Sequence, residues 1–257
     1  MAETATAAVI DADLLGAFCR AVGEDLGMLA ALHDREPDAA LIRKVRTSAF
    51  PATLGLKLVS KGGEQASRQM SEGIAALPRE IEPEALDRLC ADYADIYLNH
   101  TLRASPLESV WTDEENIAYQ QSMFQIREFY ERYGVKAENW RLRSDDHLVL
   151  QLLFIAHLMK SGPDQKVLAD VARFMDDHLL RWLPEFAQRV ATRCETPYFA
   201  GLALLTDAYT EELRQLLEQI LGEARPAPEE IEKRMNPQAV SATETPLKFV
   251  PGSAASW

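Results

Sequence analysis

Ser144-Asp145-Asp146-His147-Leu148-Val149-Leu150-Gln151-Leu152-Leu153-Phe154-Ile155-Ala156-His157-Leu158-Met159 is the stretch that decides the fold. Its first residues are helix starters: short acceptors for the free amides, and carboxylates suited to the positive end of the helix dipole. From Leu148 on, apolar residues fall on nearly every face, and a helix apolar all round is buried among others. It is too short to cross a bilayer, which takes about 20 apolar residues. The stretch predicts the central helix of a soluble helical domain, with Asp146 as its cap and Asp146 and His147 at a buried N-terminal end.

Working outward, the other segments repeat the helical period. Asp11 or Asp13 starts a helix to His33 with Leu14, Leu15, Phe18, Val22, Leu26 and Leu29 inward. Asp38 starts a short one through Leu41, Ile42 and Val45, and Phe50-Pro51 breaks the chain. Lys61-Gly62-Gly63 reads as a turn and lacks the spacing of a phosphate loop. Pro83 opens a helix carrying Leu86, Leu89, Cys90, Tyr93, Ile96 and Tyr97, and Asn99 to Trp111 reads as a loop. Asp113-Glu114-Glu115 leads a helix to Tyr133, closed by Gly134, with Tyr119, Met123, Ile126, Phe129 and Tyr130 inward. Asp164 caps a helix to His178, the next segment bends at Pro184, and Pro197 opens a long helix closed by Gly222. No alternating strand pattern and no solenoid repeat appears. The fold class is all-α: one multi-helix domain over residues 1–222. The proline-interrupted residues 223–257 are expected to be a flexible tail, apart from a short helix over Glu229 to Lys233.

The 257 residues are 47% apolar, enough for a sizeable core, and carry a formal net charge of −13. That charge argues against nucleic acid or an anionic membrane as partner and is compatible with a basic one. Cys19, Cys90 and Cys194 stand far apart, so neither a disulfide framework nor a zinc site is expected, and a reducing cytoplasm is the default location. The N-terminus has no basic residues before its apolar stretch and does not read as a secretory signal.

Asp145-Asp146-His147 has the residue types of an acid–base pair or a metal site. His157, ten residues on, does not complete a zinc motif, and Asp176-Asp177-His178 has no spacing rule linking it to the first group. Ser105 and Ser109 lie outside any nucleophile elbow. The aromatic residues recur at helical spacing and read as core, except Trp111, which sits in a proline-bearing loop where a large side chain lines a groove. On residues alone, a helical enzyme using Asp146 and His147 and a general interaction adaptor both stay open.

Three segments, in order, resemble a known family. Asp92-Tyr93-Ala94-Asp95-Ile96-Tyr97-Leu98 is followed by Ser105-Pro106-Leu107-Glu108-Ser109-Val110-Trp111; then comes Asp145-Asp146-His147-Leu148; then His178-Leu179-Leu180-Arg181-Trp182-Leu183-Pro184-Glu185-Phe186 with Pro197-Tyr198-Phe199. Together they look like the TorD/DmsD/NarJ-type maturation chaperones. The resemblance implies a cytoplasmic chaperone, not an enzyme and without a cofactor of its own. Such a protein, a monomer or homodimer, binds the twin-arginine signal peptide and the apo catalytic subunit of a molybdopterin-dependent oxidoreductase until cofactor is loaded. The expected peptide-binding set is Pro106, Leu107, Glu108, Ser109, Trp111, Asp146 and His147. Leu107 and Trp111 would take the apolar part of the signal, and Glu108 or Asp146 its guanidinium groups.

Overall fold

Carboxylates that cap helices from a distance organise this fold. The computed structural model describes residues 11–80, 82–112, 121–138 and 143–236. The expected helix start at Asp113 and the inward Tyr119 lie outside the described residues. Within them the fold is all-α, and the one β-type contact is an isolated antiparallel bridge between Leu107 and His147.

Helix α1 (Ala12–Asp34) is capped by Asp11, and α2 (Ala39–Thr47) by Asp38. The expected stripe of α1 holds at Val22, Leu26 and Leu29, whereas Leu14 is 66% exposed although Leu15 beside it packs against the core. Helix α3 (Lys61–Ala75) corrects the turn expected at Lys61-Gly62-Gly63, which is instead its first turn. Ser60 accepts the Gly63 amide, and Glu212 accepts the amides of Val59 and Ser60 and the Ser60 hydroxyl. Those bonds satisfy the donors that a helix start leaves bare.

Pro83 occupies the first turn of α4 (Pro83–Tyr93), which runs into a π-helical turn over Ala94–Leu98. Four-residue α5 (Ser109–Thr112) and α6 (Gln121–Arg132) follow. The central helix α7 (Leu148–Lys160) packs against α1 and α8, with Leu148, Leu152, Ile155, Leu158 and Met159 fully buried. It is not closed on every side, since Leu153 and His157 are exposed.

Helix α8 (Gln165–Phe174), capped by Asp164, leads through a second π-helical turn, Met175–Leu179, into α9 (Leu180–Arg193), which continues through Pro184. Asp176, Asp177 and His178 are buried there, and Asp176 pairs with Arg214 at 2.8 Å. Helix α10 (Pro197–Leu221) ends at Gly222 in the left-handed conformation (φ 69°). Its start is capped by Asp92, which accepts the amides of Glu195 and Thr196 and the Thr196 hydroxyl.

Helices α3 and α10 touch backbone to backbone. A Cβ at Gly73 would stand 2.5 Å from the Pro197 carbonyl oxygen, and one at Gly201 would stand 2.7 Å from Cα of Met70. Beyond Ala224 the described residues hold helix α11 (Pro228–Met235), three residues longer than the short helix expected there. No helix among the described residues is long and apolar enough to cross a membrane.

Candidate functional site

Three consecutive residues fix the start of α7: two tie it to α6 and α5, and the third caps it. Asp145 accepts two bonds from the Arg127 guanidinium, at 2.8 and 2.5 Å, while its carbonyl accepts the Tyr130 hydroxyl. Asp146 accepts the Ser109 amide and hydroxyl on one oxygen. His147 accepts the Val149 amide on Nδ1. The cap of α7 is therefore His147, not Asp146, whose carboxylate caps α5 instead. Main-chain bonds complete the junction, from Leu148 N–H to the Pro106 carbonyl and from Glu108 N–H to the Asp146 carbonyl.

Glu108 and Asp146 are both 0% exposed. Glu108 accepts the Gln151 amide at 2.9 Å and lies 3.0 Å from His178 Nδ1, and the Gln151 amide also reaches the Asp146 carbonyl. Phe129 and Phe174 pack against the His178 ring. Burying charge is tolerable only when partners offset it. Glu108 has partners on both oxygens, whereas Asp146 is bonded through one oxygen only, and its Oδ1, the Gln151 Oε1 and the His178 Nε2 are buried without a hydrogen-bond partner among the described residues. Both carboxylates, expected to meet guanidinium groups, lie inside the loop–α7 junction. Burial, with Arg143 nearby, holds His147 down to about 3, so its imidazole is neutral. A buried aspartate and a neutral capping histidine are not arranged as an acid–base pair.

Of the expected set, Leu107 and Trp111 are half-buried. The Trp111 indole N–H donates to the Ser105 carbonyl, its ring stacks near Trp182, and the Arg189 guanidinium lies over it at 4.4 Å. It borders a hollow of about 390 Å³. A larger groove, about 600 Å³, runs along the open stripe of α7. Leu150, Leu153, Phe154, Tyr130 and Val135 form its floor and walls, with Lys136, Glu138 and Arg143 also lining it. Periodicity cannot reveal this groove, because the residues of the open stripe are as apolar as those of the buried faces. His178 has no spacing signal either, since its partner Glu108 is 70 residues away.

The nitrate reductase delta subunit family model matches residues 62–188, a span that contains the loop–α7 junction and both π-helical turns. The chain is 31% identical over 169 residues to the chaperone protein TorD of Vibrio cholerae, covering 62% of this chain and 76% of that one. The chain belongs to the TorD/DmsD/NarJ-type family of molybdoenzyme maturation chaperones. Chaperone protein TorD of a Shewanella species is 29% identical over 204 residues, covering 76% of this chain and 92% of the relative. A probable Tat proofreading chaperone DmsD of Haemophilus influenzae is 23% identical over 127 residues, covering 49% and 60%. As a member of this chaperone family the protein is not an enzyme. Among the described residues no group of three or more His, Cys, Asp or Glu side chains is placed to hold a metal.

Proposed function

We propose that this TorD-family protein is a cytoplasmic chaperone that binds the twin-arginine signal peptide and apo form of a molybdopterin-dependent oxidoreductase, assisting cofactor insertion and delaying export. The observation that carries the reading is the groove of about 600 Å³ beside α7. Its volume suits a few apolar side chains of a bound peptide. Leu153, 45% exposed on the wall, is the contact for the apolar core of the signal. Glu138, exposed on the rim, is the carboxylate within reach for an arginine of its basic start. The net charge of −13 favours encounter with such a peptide. Pro106, Leu107, Glu108, Ser109, Asp146 and His147 act by fixing where α7 begins, and so where Leu150 and Leu153 stand.

The test is calorimetric titration with a synthetic peptide carrying an Arg-Arg pair and roughly 7–15 apolar residues. Binding that weakens with salt, and that falls about tenfold or more in Leu153→Asp at an unchanged melting temperature, supports the reading. No heat with any such peptide, or equal affinity in Leu153→Asp, rejects it.

A further inference from the structure

The hollow beside Trp111 differs in sign from the protein that carries it. His100, Arg103 and Arg189 line it, with Glu185 the sole carboxylate among its lining residues. Glu185 is already engaged by the Arg189 guanidinium, which also donates to the Arg103 carbonyl at 2.9 Å. Arg193 donates to the neighbouring Leu102 carbonyl at 2.7 Å. These two α9 arginines fasten the loop, whose residues His100 and Arg103 both hold left-handed backbone (φ 53° and 51°). The Trp111 N–H is spent on Ser105. The side chains of His100 and Arg103 remain exposed and without a partner among the described residues. A fixed loop thus presents one uncommitted guanidinium, that of Arg103, with the His100 imidazole, beside an indole.

We infer that this hollow binds an extended acidic stretch of polypeptide, separate from the signal peptide. Guanidinium recognises carboxylate by paired, charge-assisted bonds. At about 390 Å³ the hollow has room for one or two side chains, not for a folded surface. A signal peptide's arginines would meet like charge here, whereas glutamate or aspartate side chains would not. In a chain of net charge −13, a local cationic hollow also discriminates, because the overall charge of the protein does not favour an acidic segment. The inference rests on the chaperone reading for the polypeptide nature of the partner, but not on where the signal peptide binds.

The experiment titrates the full chain with N-acetylated, C-amidated tetraglutamate, with the matching tetraglutamine, and with inorganic phosphate, at low and high salt. Tetraglutamate is expected to bind and to weaken with salt, and tetraglutamine to give no signal. Arg103→Glu is expected to lower tetraglutamate affinity about tenfold or more, and Arg103→Gln less, while melting temperature and signal-peptide affinity stay at the parent values. No tetraglutamate binding at low salt, equal affinity in both Arg103 variants, or phosphate binding as tightly as the peptide each overturns the inference. A chain that takes tetraglutamate but no signal peptide upholds the acidic-segment site and rejects the signal-peptide proposal.

Discussion

Asp146 takes both the amide and the hydroxyl hydrogen of Ser109 on one carboxylate oxygen, at 2.9 and 2.6 Å. One buried side chain therefore holds the short helix α5 against the start of α7, and its loss leaves two donors stranded. Asp146→Ala should cost about 2–3 kcal/mol in urea unfolding, and Ser109→Ala about 1 kcal/mol. Asp146→Asn keeps the accepting oxygen and should cost about 1 kcal/mol or less. The Asp146→Ala and Ser109→Ala double variant should lose less than the sum of the two. Strict additivity would show that the bond contributes nothing.

Acid stability should be governed first by two histidines. Burial holds His33 and His147 down to about 3, against an ordinary value near 6.5. His33 lies between the Tyr97 hydroxyl and the Thr206 hydroxyl. Below about pH 6.5 the unfolded chain takes up protons that the folded chain refuses, so stability is full above that pH and is lost toward about pH 3. The slope is about 1.4 kcal/mol per pH unit for each histidine. Urea midpoints measured between about pH 6.5 and 5 should fall, and His33→Gln should remove about half of the slope. An unchanged slope in that variant would show that His33 does not titrate on unfolding.

The backbone contact between α3 and α10 leaves no space for a methyl group. Gly201→Ala would bring Cβ to 2.7 Å from the Met70 Cα, so the helices must separate. A loss of about 1–3 kcal/mol is expected, despite the higher helix propensity of alanine. A stabilised Gly201→Ala would mean that the two helices slide freely.

The proposed chaperone body ends at Gly222, whose left-handed φ of 69° terminates α10. A chain ending just after Ala224 should melt within about 2 °C of the full chain and keep its signal-peptide affinity. A drop of about 8 °C or more would assign residues beyond Ala224 to the folded body.

What the sequence made legible follows the range over which its signals act. The caps at Asp11, Asp38 and Asp164, Pro83 and Pro197 in first turns, and Gly222 at a terminus are local devices, and they stand where local rules put them. The start of α3 looks like a turn in the sequence because Glu212, an acceptor that fixes it, is 152 residues from Ser60. The π-helical turns carry no local signature either. The first shows itself by a backbone bond from Asn99 N–H to the Ala94 carbonyl, five residues back. In the candidate site, Asp146 and His147 are legible as a helix start, but which of them caps α7 depends on Ser109, which periodicity cannot bring near. Leu153 is indistinguishable from core in the sequence, because composition cannot say which apolar face lacks a neighbour.

Capping at a distance also sets an order of events during synthesis. The acceptor for the start of α3 arrives with residue 212, and the Thr206 that completes His33 arrives with α10. A nascent chain that has emerged only through α9 has unmatched amides at Val59 and Ser60, and the surface that Gly73 offers to α10 is still bare. The N-terminal helices can therefore form turn by turn on the ribosome but cannot lock until α10 is released. Such long-range closure makes folding slow relative to local helix formation. A maturation chaperone of this build is itself unfinished until α10 has been made.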